Sequence, residues 1–101
     1  MTLFDIHQID ETIHGRVRLG IMAFLAASGT ADFTSLRKHL AVSDGNLSTH
    51  LKKLEDAAYI AQHKSFAGRK PLTQIELTPQ GRTAFLAYLE AMSRLVSASA
   101  M

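Results

Sequence analysis

No cysteine occurs in the 101 residues, which excludes disulfides, thiolate metal sites and a cysteine nucleophile, and fits a cytoplasmic protein. No apolar run approaches the roughly 18–20 residues that a membrane helix needs. The longest, Leu19 to Ala27, is short and interrupted by Gly20. The N-terminus carries acids at Asp5, Asp10 and Glu11 in place of the basic region of a secretory signal. A glycine-rich phosphate loop, a G-x-S-x-G turn and paired acids suited to a cleft are all missing, so no enzyme is expected. The histidines His7, His14, His39, His50 and His63 form no H-x-x-x-H pair and have no carboxylate clustered with them. Neither a bound metal nor a cofactor is therefore expected.

What is present describes a folded domain. A hydrophobic content of 47% with 20% charged residues is ordinary for a globular chain and argues against disorder. A chain of this length buries roughly two-thirds of the surface its unfolded form exposes, enough for one modest core, so residues 1–101 read as one domain. The net charge of +2 says little, but its distribution is uneven. Residues 1–34 set Arg16 and Arg18 against Asp5, Asp10, Glu11 and Asp32. Residues 35–73 set Arg37, Lys38, Lys52, Lys53, Lys64, Arg69 and Lys70 against Asp44, Glu55 and Asp56. Positive charge thus gathers in the middle third, where a polyanion contact is expected unless the cations only solvate that face.

Hydrophobic spacing predicts the elements. Ile9, Ile13, Val17, Ile21, Phe24 and Leu25 recur at helical intervals and predict a first helix over residues 9–27, from about Asp10 to a stop at Ser28-Gly29. Leu19 and Met22 widen its apolar arc beyond one stripe. A second short helix is predicted from Thr34, as N-cap, to about Leu40, with Leu36 and Leu40 inward. Val42 to Gly45 reads as a turn in which Ser43 or Asp44 caps a third helix running to about Ala58. Residues 34–58 thus form a helix-turn-helix. At about 100° per residue, Leu47, Leu51, Leu54 and Ala58 fall on one buried arc of the third helix. Gly45, Thr49, Lys52 and Asp56 lie opposite, flanked by Asn46 and Lys53, with Ser48 and His50 at the borders.

The period then changes. Residues 60–77 read as a β-hairpin, Ile60 to Phe66 and Leu72 to Leu77, turning through Ala67-Gly68-Arg69-Lys70-Pro71. Thr78 as N-cap and Pro79 at the first helical position open a last helix over residues 79–96. Its apolar positions include Phe85, Tyr88, Leu89, Met92 and Leu95, and the tail Ser97 to Met101 is expected to fray. The fold class is mainly α with a small β-hairpin wing.

The run Asp44 to Glu55 resembles the recognition helix of winged helix-turn-helix regulators. His14 to Ala26 looks like their first helix, Phe33 to Ile60 resembles their helix-turn-helix, and Gly68 to Met92 is similar to their wing and closing helix. The resemblance spans roughly residues 9–95 and is nearest to the compact MarR/ArsR-like set of dimeric transcriptional regulators. The sequence departs from the pattern at Ala57-Ala58-Tyr59, where Ala-Gly is usual. Ala58 must adopt whatever backbone that glycine would have supplied. The cysteines of ArsR-type metal sensors are absent.

The resemblance implies a cytoplasmic regulator that binds double-stranded DNA as a homodimer through its first and last helices. Both of those helices are apolar over more of their circumference than a small domain requires, although covering the chain's own core would also use that surface. Asn46 and Thr49 have the chemistry to reach base edges, the amide pairing with adenine and the methyl touching thymine. Ser43, Ser48 and His50 are candidates for phosphates or bases at the groove wall, with His50 packed beside Leu54. Lys52 and Lys53 lie where phosphate contacts are expected, and Arg69 and Lys70 would carry the wing to the flanking minor groove or its phosphates. Arg37 and Lys38 are lesser candidates. A small-molecule effector stays open, since Phe24, Phe85, Tyr88 and Met92 fit either a pocket lining or a core. Another reading is a winged-helix module for protein–protein contact without DNA, for which Asp44, Glu55 and Asp56 leave room.

Overall fold

A computed structural model describes residues 4–100. The chain opens on a 3₁₀ turn, Ile6–Gln8, whose Asp5 carboxylate accepts from the His7 amide at 2.9 Å. The first α-helix, α1, spans Arg16–Ser28 and does not reach back to residue 9. Asp10 explains the shortfall. Its carboxylate accepts from the Thr12 amide at 2.8 Å, and its carbonyl accepts from the His14 amide at 2.8 Å, closing a separate turn. Gly15 then sits at φ 151, a conformation that ends the turn and lets α1 start afresh. The apolar spacing crosses this break because Ile13 is fully buried from the turn, as Ile21, Met22 and Leu25 are from the helix.

At Gly29 (φ 80) α1 stops, with the Gly29 amide donating to the Leu25 carbonyl at 2.7 Å. A three-residue strand, β1 (Thr30–Asp32), follows where no strand was expected, being too short to show a period. The second helix, α2, spans Phe33–Leu40 and is capped by Asp32, not Thr34. The Asp32 carboxylate accepts from the Ser35 amide at 3.2 Å, and hydrogen bonding to Ser35 holds that carboxyl below its ordinary range. Helix α3 spans Asp44–Asp56, with the Ser43 hydroxyl accepting from the Asn46 amide at 3.1 Å.

Both helices of this pair end alike. Beyond α2, the Val42 amide reaches the Arg37 carbonyl and the Ala41 amide the Lys38 carbonyl. Beyond α3, the Tyr59 amide reaches the Leu54 carbonyl and the Ala58 amide the Glu55 carbonyl. This is the Schellman pattern, whose turning residue is usually glycine. Here it is alanine, at φ 56 for Ala41 and φ 64 for Ala58. The left-handed conformation also carries Ala58 off the buried arc of α3, so it is exposed and not inward beside Leu54.

Strands β2 (Ile60–Ala67) and β3 (Lys70–Leu77) form the hairpin, and β1 adds to the far edge of β3 for the order β1-β3-β2, all antiparallel. Lys70 is therefore the first residue of a strand, where a turn position was expected. The last helix, α4, spans Pro79–Ser99. It remains helical to Ser99, inside the tail Ser97 to Met101 expected to fray, of which Met101 lies outside the described residues. Ile60, Ile75 and Leu77 present one sheet face to a core completed by Leu36, the leucines of α3, and Phe85 and Tyr88 of α4. Among the described residues no helix is long and apolar enough to cross a membrane.

One junction ties three elements. The Thr78 hydroxyl caps α4 at the Gly81 amide (2.9 Å) and donates to the Ala58 carbonyl (2.7 Å), while the Thr78 amide donates to the Tyr59 carbonyl (3.1 Å). A Cβ at Gly81 would lie 2.0 Å from that carbonyl oxygen. Gly81→Ala is accordingly expected to destabilise the fold by at least about 2 kcal/mol. Ala41→Gly and Ala58→Gly are each expected to raise stability by up to about 1 kcal/mol, because relief of the left-handed alanine slightly exceeds the chain entropy a glycine adds. Urea unfolding midpoints check all three.

Candidate nucleic-acid interface

Helix α3 is seated by its inner face. Leu47, Leu51 and Leu54 are all at 0% exposure, each contributing about 2 kcal/mol of apolar burial. Helical geometry then turns Asn46, Ser48, Thr49, Lys52 and Lys53 outward, and all of these are exposed. Ser43, the N-cap, is exposed at the helix start. The interface residues named from the sequence on α3 therefore share one presented surface, apart from the half-buried His50.

His50 is held within the fold. Arg18 of α1 donates from Nε to the Thr12 carbonyl at 2.6 Å and from Nη2 to the Glu11 carbonyl at 3.5 Å, and its Nη1 meets His50 Nδ1 at 3.0 Å. A guanidinium has only donors, so Nδ1 accepts and the imidazole keeps its proton on Nε2. Burial, then the charges of Arg18 and Lys53, hold His50 below its ordinary pKa. The ring is thus a neutral brace between α3 and the N-terminal turn, with Nε2–H left to donate outward.

The acids around α3 are also engaged. Asp44 pairs with Arg37 of α2 at 2.9 Å, which fixes the angle of the helix pair and places a carboxylate at the positive end of the α3 dipole. Glu55 accepts from the Gln62 amide at 3.3 Å and the Gln62 side-chain amide at 3.4 Å, tying α3 to the base of the hairpin. Asp56 meets Lys52 at 3.5 Å, a pair exposed on both sides that leaves the ammonium free to exchange partners. Thr49 spends its hydroxyl hydrogen on the Gly45 carbonyl at 3.0 Å, leaving its methyl and oxygen lone pair outward. Among the described residues, the Asn46 side-chain carboxamide, the Ser48 hydroxyl and the Lys53 ammonium enter no hydrogen bond or ion pair.

The hairpin supplies a separate basic point. Gly68 (φ 64) and Arg69 form its two-residue turn, closed by the Ala67–Lys70 pair, and both cations are exposed. Sequence reasoning missed Arg18, Arg37 and Glu55 as positioning residues, and no local signal marks them, because each acts on a different element. Of the residues considered for an effector pocket, Phe85 and Tyr88 are consumed by the core, where the Tyr88 hydroxyl meets His14 Nδ1 at 2.8 Å. Phe24 lines a groove between α1 and α2, and Met92 lines another with Ile6, Ile9 and Leu95.

The sequence model of the winged helix DNA-binding domain family matches residues 17–96. An uncharacterized protein of Methanocaldococcus jannaschii is 37% identical over 79 residues, 78% of this chain and 86% of that one. The solved transcriptional regulator homologue of Pyrococcus horikoshii OT3 superposes with a TM-score of 0.85 at 29% identity, covering 91% of both chains. A MarR family transcriptional regulator of Silicibacter pomeroyi shares the fold, with a TM-score of 0.63 at 16% identity over 93% of this chain and 60% of that one.

The His50 brace carries a pH signature. Its pKa is lower in the fold than the value of 6.5 in the unfolded chain, so the unfolded chain binds more protons in mild acid. The contribution is whole above about pH 6.5 and is lost as pH falls through the depressed native value. Urea midpoints between about pH 7 and 5 are expected to decline less in His50→Gln, which keeps an acceptor and cannot titrate, than in the parent. Parallel declines would assign the effect to another group.

Proposed function

The chain belongs to the winged helix DNA-binding domain family, and we propose that it is a dimeric regulator of transcription that reads the sequence of double-stranded DNA. The observation that carries the reading is the outer face of α3, where Asn46, Ser48, Thr49, Lys52 and Lys53 stand exposed over three fully buried leucines. An exposed amide and threonine methyl beside lysines match the needs of a major groove, in which base edges lie between two phosphate rows. Ser43 and the His50 Nε2–H border that face, and Arg69 and Lys70 extend the cationic surface to the flanking minor groove or its phosphates. Of the three acids that leave room for a protein partner, Asp44 and Glu55 are engaged in linking α3 to α2 and to the hairpin and Asp56 pairs with Lys52, which favours DNA over that alternative.

The dimer rests on α4. Its 21 residues extend about 31 Å, yet its buried positions end at Ala91. Leu86, Leu89 and Val96 lie on one exposed stripe, at 59%, 45% and 59% exposure, and Phe4 and Ile6 are exposed as well. A second copy related by a two-fold axis covers such a stripe with the same stripe. It also sets two α3 helices on half-sites roughly one DNA turn apart.

Selection from a random duplex pool is expected to return a roughly palindromic site. On that site Lys53→Ala should weaken binding alike on all sequences and lower the salt slope by about one, whereas Asn46→Ala should relax discrimination at one base position. Absence of salt-dependent duplex binding at low ionic strength would sink the reading, and a shallow slope with a captured protein would favour the protein-contact alternative. Leu89→Glu is expected to halve the mass in sedimentation equilibrium with an unchanged circular dichroism spectrum. An unchanged mass would remove α4 from the dimer interface.

A further inference from the structure

The wing ends in an apolar side chain that the fold does not use. Phe66 is 73% exposed, the most exposed of the large hydrophobic residues among those described. Its orientation follows from the register. Phe66 pairs with Pro71, Lys64 with Thr73, Gln62 with Ile75 and Ile60 with Leu77. Directly paired residues point to the same face and every second residue repeats it. Phe66 and Pro71 therefore stand on the face that buries Ile60, Ile75 and Leu77 at the other end of the hairpin. The core stops before the tip; Lys64 and Thr73 come next on this face, and Phe66 with Pro71 forms a separate apolar patch beyond them.

Pairing geometry brings these two side chains close together. The two-residue turn makes Ala67–Lys70 the hydrogen-bonded closing pair, so Phe66–Pro71 is the narrower, non-hydrogen-bonded pair. The missing N–H of Pro71 then faces the far edge of β3, where β1 reaches only Gln74 to Glu76. The result is a small rigid ridge of phenyl and pyrrolidine ring on a two-stranded arm. Lys64 shares the face of this ridge, Arg69 stands in the adjoining turn, Lys70 lies on the opposite face of the arm, and no acid lies between Lys64 and Pro71. An apolar ridge flanked by cations matches a surface of alternating apolar walls and phosphates, which a DNA minor groove presents.

We propose that Phe66 is the minor-groove wedge of this protein, seated with Pro71 against the sugar and base walls while Lys64 and Arg69 hold the neighbouring phosphates. This rests on the DNA-binding reading above and adds to it a contact that carries no charge. Such a contact differs in kind from those of the lysines and arginine, because it releases no counterion and does not weaken as salt rises. It also favours base steps that unstack or widen easily, so it reads deformability where α3 reads base edges.

The chain contains no tryptophan, so Phe66→Trp places a single indole reporter at the ridge. Titrated with a 30-bp duplex recovered from the random pool by the parent protein, its emission is expected to be quenched and shielded from acrylamide. Phe66→Ala is expected to bind that duplex roughly five- to tenfold more weakly with an unchanged salt slope, whereas Arg69→Ala lowers the slope by about one. Full acrylamide access in the complex, with parental affinity for Phe66→Ala, overturns the wedge while leaving DNA binding intact. Failure of the parent to bind duplex overturns both readings. Shielding by phosphatidylserine vesicles but not by duplex reassigns the ridge to a membrane surface and overturns the wedge as well.

Discussion

Everything that this protein presents outward from its third helix depends on three leucines pointing inward. Leu47, Leu51 and Leu54 are completely buried, and truncating one such side chain to alanine typically costs about 2–5 kcal/mol. With that face pinned, the helix has no rotational freedom, and the polar residues between the leucines can only face solvent. Recognition in this fold is thus a by-product of packing. The same burial that stabilises a small domain also aims the side chains proposed to meet DNA.

Pinning one face leaves tilt and axial position undetermined, and polar contacts at different levels of α3 set these. Arg37 holds Asp44 at the first turn, Arg18 holds His50 in the middle, and Gln62 holds Glu55 near the end. Each contact is modest, being partly or wholly solvent-exposed. Their value is geometric, since they connect α3 to α2, to α1 with its N-terminal turn, and to the base of the wing. Two carboxylates of α3, Asp44 and Glu55, serve as supports, while Lys53 and the wing cations stay available.

Exposed apolar surface is distributed unevenly, and its location bears on partners. The Leu86, Leu89 and Val96 stripe on α4 is long and regular, with the spacing of a helix that meets another helix. The Phe66 ridge at the wing tip is small, rigid and flanked by cations. A surface of the first kind fits a second copy of the chain, and one of the second kind fits a charged groove. Neither is required by the core, which closes without them.

Long-period features were legible in the sequence. The inward leucines of α3, the Ser43 and Thr78 caps, Pro79 and the breakers of the hairpin turn act within a few residues of themselves, so spacing and residue type were enough to assign fold class and order. The resemblance placed Ala58 where glycine is usual, and the structure puts it at φ 64, with Ala41 adopting the same conformation unannounced. Other features were not legible. Periodicity ran through Asp10 to Gly15 without a break, because a residue buried from a turn and one buried from a helix look the same in one dimension. The strand β1 was too short to have a period. The bracing of His50 by Arg18 and the continuation of the core face out to Phe66 depend on contacts between distant segments. The sequence by itself determined which residues are apolar, which can cap and which carry charge. Only the tertiary structure decided which charges are consumed as supports and which apolar side chains are left uncovered, because desolvation and pairing depend on neighbours in space.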